Sequence, residues 1–452
     1  MRSINPYTQE LIAEYEEHRL EEVRLFITKA DRAQHLWANN PLSERVSYMR
    51  ALALTLRSQK AELARLMTSE MGKPISESLA EVEKCAWLAE YLSEESHLGL
   101  DSRDVITEAR HSYVTYEALG LILAVMPWNF PLWQVLRLSL PAIVAGNGIL
   151  LKHASNVWGT ALSIEKLFIQ AGFPDHLFTT LLLTSKSIEP VVAHPAVRAV
   201  SLTGSESAGK SIAATAGRYL KKAVLELGGS DAFLVLPDAE LQEAAVTAMQ
   251  SRMLNSGQVC ISAKRFLIHE DIFDDFVDAQ IDLLSQLSIG DPMLPTTHIG
   301  PLARPELLLQ LEAQLQASLQ MGAICIYGGK RFNSHPQILE PSLLIDIQPD
   351  MPVWSEETFG PVMPLMRFKT LEEGIRIAND SRFGLGASIW TGDLELAKAI
   401  LPKIEAGSVY VNSMVKSDPR LPFGGIKHSG FGRELSVEGI KEFVNIKTNW
   451  IN

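Results

Sequence analysis

The chain has 452 residues, which is enough for two or three domains with substantial hydrophobic cores. Hydrophobic residues make up 46% and charged residues 21%, a composition typical of a globular protein and not of a disordered one. The formal net charge is −12, and Lys and Arg form no cluster. We therefore expect neither a nucleic acid nor an anionic membrane as a partner, because both attract clustered basic side chains.

The start of the chain and its cysteines bear on the compartment. Residues 1–17 become acidic early and contain no apolar stretch of the kind found in secretory signals. The most apolar stretch, 121–126, ends at Pro127 and is too short to cross a bilayer. Three cysteines, at positions 85, 260 and 325, do not make a disulfide framework. We expect a cytoplasmic protein without a membrane segment.

In chain order, the first predicted elements are helices over about 42–97. Apolar residues from Val46 to Leu56 recur at helical spacing and predict one buried helix face. A second helix is predicted to end at Gly72, just ahead of Pro74, because glycine and proline commonly follow a helix in this order.

From residue 120 onward, short apolar runs alternate with segments of helical length. The runs are LILAVM (121–126), GILLKHA (148–154), LFTTLLL (177–183), VRAVSLT (197–203), KAVLELG (222–228) and AFLVL (232–236). Apolar strands separated by helices predict an α/β fold with a doubly wound parallel sheet. A second α/β domain is predicted from residue 264 to about 430, and the tail EFVNIKTNW predicts a strand that has to pair, for example with another subunit.

Ligands of such sheets bind at the carboxyl ends of the strands, and polar motifs stand there. They are PWNFP (127–131), KHAS (152–155), GSESAG (204–209), ELGGS (226–230), NSGQVC (255–260) and EETFGPV (356–362). Each has a structural explanation when taken singly, since Asn129 could shape a turn, Glu226 could pair with a cation, and a lone cysteine is usually a small buried apolar residue. Their order and context together favour a functional explanation.

One motif admits a different function. GSESAGKS (204–211) fits the phosphate-loop pattern GxxxxGK[ST] and lies between a predicted strand and a predicted helix. A phosphate-loop nucleotidase is therefore an alternative, with FLVLPD (233–238) as the strand that would hold Mg²⁺. The pattern is short enough to recur by chance, and nothing else in the chain resembles nucleotide-hydrolysing machinery.

Four motifs resemble the signatures of the aldehyde dehydrogenase superfamily, in the family's order: PWNFP, ELGGS, NSGQVC and ETFGPV (357–362). PFGGIKHSGFGRE (422–434) is similar to the family's C-terminal motif, so the resemblance covers nearly the whole chain. It implies a Rossmann-like cofactor domain (1–98 and 119–228), an α/β catalytic domain (229–430), and bridging and oligomerisation segments (99–118 and 431–452). It also implies a homodimer or homotetramer.

The resemblance implies a covalent mechanism for aldehyde oxidation. Cys260 is the expected nucleophile, because a thiolate forms a thiohemiacetal that can expel hydride and leave a thioester. The Asn129 side-chain amide and the Cys260 backbone N–H are the expected donors to the oxyanion. Glu226 is the expected general base for thioester hydrolysis. A non-enzymatic protein on the same fold is a further alternative, which the intact Cys260, Glu226 and Asn129 disfavour.

The same resemblance implies NAD or NADP as cofactor and no metal. The implied cofactor-binding residues are Trp128, Lys152, Ser155, Gly204, Ser205, Gly209, Glu357 and Phe359. Many NAD-preferring members have a Glu at the position of Ser155, where it binds the ribose hydroxyls. A serine does not repel a 2′-phosphate, so we expect NADP to be accepted as well as NAD.

The finer resemblance is to bacterial succinate-semialdehyde dehydrogenases of the short type. Arg137 matches a substrate-binding Arg of that subfamily, although it could equally be a structural ion-pair partner. A second Arg, expected immediately before the motif Asn, is replaced by Leu254, with Arg252 two residues earlier. Arg420 could substitute for it. The expected substrate is a small aldehyde, succinate semialdehyde, oxidised to succinate.

Overall fold

The computed structural model describes all 452 residues, which form fifteen α-helices, seven short 3-10 helices and twenty strands, joined by turns. The helices are α1 Leu20–Ala38, α2 Leu42–Ser58, α3 Lys60–Met71, α4 Ile75–Tyr91, α5 Trp133–Val144, α6 Trp158–Gln170, α7 Glu189–Ala193, α8 Glu206–Arg218, α9 Leu241–Met253, α10 Phe273–Ser285, α11 Pro305–Gln320, α12 Pro352–Ser355, α13 Leu371–Asn379, α14 Leu394–Ile400 and α15 Ser436–Lys441. The strands are β1 Arg2–Ile4, β2 Leu11–Glu14, β3 Arg103–Asp104, β4 His111–Ala118, β5 Leu121–Met126, β6 Gly148–His153, β7 Phe178–Thr180, β8 Val197–Thr203, β9 Lys222–Glu226, β10 Asp231–Val235, β11 Ala263–His269, β12 Ile324–Tyr327, β13 Ser342–Ile345, β14 Val362–Phe368, β15 Phe383–Gly384, β16 Gly386–Trp390, β17 Ser408–Val411, β18 Ile426–Lys427, β19 Gly430–Phe431 and β20 Val444–Ile451.

A six-stranded sheet in the order β19-β9-β8-β5-β6-β7 contains five of the predicted apolar runs. Strands β9 to β7 are parallel, and only β19 runs antiparallel. Almost every side chain of β5 is buried, because helices cover both faces of the sheet and pack two separate apolar clusters against it. The predicted doubly wound parallel sheet is confirmed.

The predicted helices are also present as α2, α3 and α4. Helix α3 ends at Gly72, whose φ of 81° closes the helix in the left-handed conformation. Helix α1 was not predicted from the sequence. Its buried residues, such as Val23 and Ile27, pack against the outer face of the six-stranded sheet.

A second sheet, of seven strands, has the order β12-β13-β14-β11-β10-β16-β17. All of its neighbouring strands are parallel except β12, which runs antiparallel to β13. Two apolar clusters pack around it. This second α/β unit confirms the predicted fold class.

A small third sheet has the order β20-β4-β3. The C-terminal strand β20 pairs antiparallel with β4 of its own chain, from Val444 opposite Ala118 to Ile451 opposite His111. The division of the chain into domains stays a prediction, with one structural difference to add. Gly430 and Phe431, which form β19, return to the edge of the six-stranded sheet beside β9. None of the helices has the length and apolar character needed to cross a membrane.

The strand order decides which motifs become neighbours. Strands β9, β8, β5 and β6 lie side by side and parallel, so their carboxyl ends share one edge of the sheet. Glu226, Gly204, Trp128 and Lys152, which are far apart in the chain, therefore stand at successive positions along that edge.

Candidate active site

Two cavities meet at Cys260. The larger, of about 570 Å³, lies at the carboxyl ends of β5 and β8 and is closed by residues 356–359 and by α11. The smaller, of about 220 Å³, lies between α4, α5 and residues 414–423. Cys260 and Gln134 line both cavities. A ligand in either cavity can therefore approach the same sulfur atom.

The turn before Cys260 has an unusual backbone. Asn255, Ser256 and Gly257 have φ values of 51°, 53° and 77°, in the left-handed region that non-glycine residues rarely adopt. A Cβ atom at Gly257 would overlap the backbone of Gly360, so this position requires glycine.

Hydrogen bonds from several elements hold this turn. The Asn255 backbone N–H donates to Glu77 Oε2 of α4 (2.7 Å), and the Ser256 hydroxyl donates to the carbonyl of Gly300 (3.0 Å). Lys264 Nζ donates to the carbonyls of Val259 (2.8 Å) and Cys260 (2.7 Å). The position of the Cys260 thiol is therefore set by the surrounding structure and not by the turn alone.

The environment of Cys260 favours the neutral thiol. Burial raises its pKa to about 11, while the positive charges of Arg137 and Lys264 act in the opposite direction. A thiol with this pKa is protonated at neutral pH, so a reaction that uses the thiolate needs a group to accept the proton.

Asn129, the predicted oxyanion donor, lies beside the turn that precedes Cys260. Its side-chain Nδ2 donates to the carbonyl of Gln258 (3.0 Å), two residues before Cys260, and it lines the larger cavity. The Asn255 side chain donates in turn to the carbonyl of Asn129 (2.8 Å). Asn129 and Cys260 are thus brought together and held by shared hydrogen bonds.

Glu226 lies at the end of β9, but its carboxylate lines neither cavity. Both of its oxygens are buried without a hydrogen-bond partner, next to the carboxyl group of Glu434. Burial, followed by the charge of Glu434, raises the pKa of Glu226 well above its usual value. The residues after it, Leu227 and Gly228, do line the larger cavity.

Five of the eight predicted cofactor-binding residues line the larger cavity: Trp128, Gly204, Ser205, Glu357 and Phe359. The rings of Trp128 and Phe359 pack edge to face with centroids 5.8 Å apart. Glu357 Oε1 accepts a hydrogen bond from the Gly229 N–H (3.0 Å) and lies 3.3 Å from Lys264 Nζ. These contacts connect three segments of the site: the 356–362 loop, the turn before Cys260 and the loop 226–230.

The other three residues do not line that cavity. Lys152 lies on β6 opposite Val125 of β5 and forms no ion pair, and burial lowers its pKa. Ser155 begins the short turn that follows β6. Gly209 lies inside α8, where a Cβ atom would come within 2.6 Å of the Leu227 side chain. Gly209 therefore allows the helix to pack closely on the sheet.

Of the two predicted substrate-binding arginines, only Arg137 lines the smaller cavity. It is buried, forms an ion pair with Glu434, and lies over the Phe423 ring at 4.4 Å. Arg420 is exposed, pairs with Asp418 at 2.7 Å, and lines neither cavity.

Leu254 also lines the smaller cavity, while Arg252 is buried outside it. The Arg252 guanidinium donates to the Val362 carbonyl (2.6 Å) and the Ser262 hydroxyl (3.0 Å). It therefore connects β14 to the residues that follow Cys260.

This chain is similar to known proteins over nearly its whole length. The model of the aldehyde dehydrogenase family matches residues 1–449. The chain belongs to this family. A probable NADP(+) succinate-semialdehyde dehydrogenase of Synechocystis sp. is 45% identical over 449 residues, covering 99% of each chain. An NADP(+) succinate-semialdehyde dehydrogenase of Mycobacterium tuberculosis is 43% identical over 452 residues, again covering 99% of each.

The solved structures agree with the sequence relatives. Succinic semialdehyde dehydrogenase from Streptococcus pyogenes, crystallised with NADP+, superposes with a TM-score of 0.97 at 37% identity, covering 100% of this chain and 99% of that one. The predicted family and fold are confirmed, and this aldehyde dehydrogenase is an enzyme.

The phosphate-loop alternative is wrong for this aldehyde dehydrogenase. Helix α8 begins at Glu206, directly after Ser205, whose side chain caps it by accepting from the Ala208 N–H (3.3 Å). Gly209 and Lys210 thus lie inside the helix, and no glycine-rich loop remains to wrap a phosphate. The Lys210 ammonium instead pairs with Glu206 at 2.6 Å.

The sequence analysis missed one set of residues in the aldehyde dehydrogenase site. Glu77, Ala80, Glu81 and Lys84 of α4 all line the smaller cavity. They occupy positions i, i+3, i+4 and i+7, so they share one face of the helix. Three of these residues are charged and lie on a helix face that packs inward, a sequence pattern that would have indicated a site here.

Proposed function

We propose that this aldehyde dehydrogenase oxidises succinate semialdehyde to succinate, with NADP+ or NAD+ as the hydride acceptor. The observation that carries the proposal is Cys260 at the junction of two cavities, one at the carboxyl edge of the parallel sheet and one between α4 and α5. The relatives named as NADP(+) succinate-semialdehyde dehydrogenases over nearly the whole chain support the choice of substrate and cofactor.

In the proposed reaction the Cys260 thiol gives its proton to solvent water, and the resulting thiolate adds to the aldehyde carbon to form the C–S bond of a thiohemiacetal oxyanion. The negative charge that develops on the former aldehyde oxygen is stabilised by the Asn129 amide and the Cys260 N–H. The Asn129 amide donates to Gln258 in the resting state, so it is already held beside the nucleophile turn.

Glu226 is proposed as the base that activates water for thioester hydrolysis. Its buried position without hydrogen-bond partners supports a role as a proton acceptor, because burial raises its pKa and makes the carboxylate more basic than an exposed one. To act, its side chain has to turn towards Cys260 by rotation about its own torsions.

The larger cavity fits a dinucleotide cofactor. The Thr203 hydroxyl lines it without any hydrogen-bond partner, and the N-terminus of α8 faces it through Gly204 and Ser205. When bound, the cofactor supplies the acceptor for the hydride that leaves the thiohemiacetal carbon. We propose that Gly204 and Ser205 hold its phosphates, and that its adenosine end extends beyond this cavity to Lys152 and Ser155 at the end of β6. We propose that Trp128, Glu357 and Phe359 hold its nicotinamide end. The uncharged Ser155 supports acceptance of NADP+.

The test is NADPH and NADH production with a panel of aldehydes that do or do not carry a distal carboxylate. We expect succinate semialdehyde to give the highest kcat/KM and NADP+ to be accepted, and Cys260→Ala to abolish turnover while the protein still folds. A higher kcat/KM for butanal than for succinate semialdehyde would refute the proposed substrate. Turnover by Cys260→Ala at the wild-type rate would refute the proposed mechanism.

We also propose that the protein is a homodimer or homotetramer that works in the cytoplasm. Exposed apolar side chains on β20, namely Ile446, Trp450 and Ile451, support assembly through the small sheet. The three cysteines are all free thiols, which supports a reducing compartment. Analytical ultracentrifugation of the wild type and of Trp450→Glu tests the assembly, and a monomeric wild type would refute it.

A further inference from the structure

The smaller cavity has both acidic and basic residues in its lining, and the acidic ones are already engaged. Glu81 Oε1 accepts from the backbone N–H groups of Leu132 (2.9 Å) and Trp133 (2.8 Å) at the start of α5, and its other oxygen pairs with Lys73. Glu77 accepts from the Asn255 N–H. Both carboxylates therefore hold the scaffold around Cys260.

Among the cations of this cavity, Arg137 is paired with the buried carboxylate of Glu434. Lys416 also lines the cavity, but its side chain is exposed to solvent. Arg420, the candidate suggested by the sequence, is paired with Asp418 outside the cavity. The arginine expected just before Asn255 is replaced by Leu254.

Lys84 is the cation in the lining of this cavity that is neither paired with a carboxylate nor exposed to solvent. Its ammonium lies in the cavity wall, donates one hydrogen bond to the Ser417 hydroxyl (2.8 Å), and lies 4.3 Å from the centre of the Trp133 ring. It forms no ion pair, so two of its three N–H donors are unused.

The charged surroundings of Lys84 also favour an anion. Burial, and next the positive charge of Arg137, lower the pKa of Lys84 to about 8, while Glu81, Asp418 and Cys85 act in the opposite direction. A carboxylate placed beside it would restore the charged state, because it would supply the missing counter-charge.

We propose that Lys84 binds the distal carboxylate of the substrate, aided by the Ser417 hydroxyl, and so determines specificity for semialdehydes that carry a carboxylate. This inference rests on the proposed function. It assigns to α4 the role of the absent second arginine. Lys84 and Cys260 line the same cavity of about 220 Å³, so a substrate bound in it lies next to both residues.

The experiment compares Lys84→Met, Lys84→Arg and the control Lys416→Met, each with succinate semialdehyde and with butanal, which has the same chain length and no carboxylate. We expect Lys84→Met to lower the ratio of kcat/KM values, succinate semialdehyde over butanal, about ten- to hundredfold, mainly through KM. Lys84→Arg should recover part of this ratio. Lys416→Met should change it less than about fivefold, because an exposed charge is screened.

A binding measurement provides an independent readout. In calorimetric titrations of the cofactor-free protein, succinate should bind the wild type and bind Lys84→Met at least about tenfold more weakly. Wild-type affinity for succinate should also fall above about pH 8, where Lys84 loses its charge, and the affinity of Lys84→Met should not.

The outcomes separate the two proposals. A wild type that does not prefer succinate semialdehyde to butanal overturns the proposed function and this inference with it. A wild type with that preference, together with a Lys84→Met variant that keeps both the preference and the succinate affinity, overturns only the role of Lys84. A larger effect in Lys416→Met than in Lys84→Met overturns it as well and assigns the carboxylate to the cavity mouth.

Discussion

The protonation state of Cys260 in the cofactor-free enzyme gives a quantitative prediction. With a pKa of about 11, against an ordinary thiol value of about 8.5, roughly 0.1% of the thiol is ionised at pH 8 instead of roughly a quarter. A more basic thiolate is more nucleophilic, which offsets about tenfold of this loss. We therefore expect alkylation at pH 8 to be roughly twentyfold slower than for an exposed thiol.

The assay is the rate of iodoacetamide labelling from pH 7 to pH 10, followed by peptide mass spectrometry so that Cys260, Cys85 and Cys325 are quantified separately. The rate at Cys260 should rise about tenfold for each pH unit across this range, because the thiolate fraction does so below the pKa. Cys85 is fully buried and provides the unreactive reference. A rate at Cys260 that levels off below pH 9 would show that the thiol is already activated by its surroundings and would refute this reasoning.

Three further predictions concern the neighbouring groups. Glu226→Gln should give a rapid burst of NADPH, up to one per active site, followed by a slow steady state. Mass spectrometry should then show an acyl group on Cys260. The absence of both the burst and the adduct at every pH would contradict the role of Glu226 as the hydrolytic base. Arg137→Met should destabilise the fold by about 3–5 kcal/mol, or about 3–5 °C in Tm by calorimetry, because it leaves the carboxylate of Glu434 buried without its partner; an unchanged Tm would argue against a stabilising pair. Ser155→Glu should lower kcat/KM for NADP+ relative to NAD+ about tenfold or more, since a carboxylate repels a 2′-phosphate, and an unchanged ratio would place that phosphate elsewhere.

The buried parallel strands and the motifs of the site can be predicted from the sequence of this protein alone. The buried strands β5 and β8 coincide with the apolar runs 121–126 and 197–203, because a parallel strand covered on both faces needs a continuous apolar run. The family motifs also predict Cys260 and Asn129 as site residues, and the structure places both in the lining of the larger cavity. The turn before Cys260 requires glycine at Gly257, and a local sequence pattern can record that requirement.

Sequence patterns gave wrong or incomplete predictions where packing between distant segments determines the surroundings of a residue. GSESAGKS fits the phosphate-loop pattern, yet only two residues separate the end of β8 from the start of α8, and Gly209 allows that helix to pack close to Leu227. Arg420, the sequence candidate for a second substrate-binding arginine, pairs with Asp418 and lines neither cavity.

Only the tertiary structure shows how the charges around Cys260 are paired. Glu226 lies beside Glu434 and Arg137 because β19 returns from the end of the chain to pair with β9. Lys84 reaches the smaller cavity because α4 packs against α5, while the acidic residues on the same face accept hydrogen bonds from backbone N–H groups of other segments. A sequence records which residues carry charge, but the partners that neutralise them come from distant segments, so the cation left without a partner is determined by the fold.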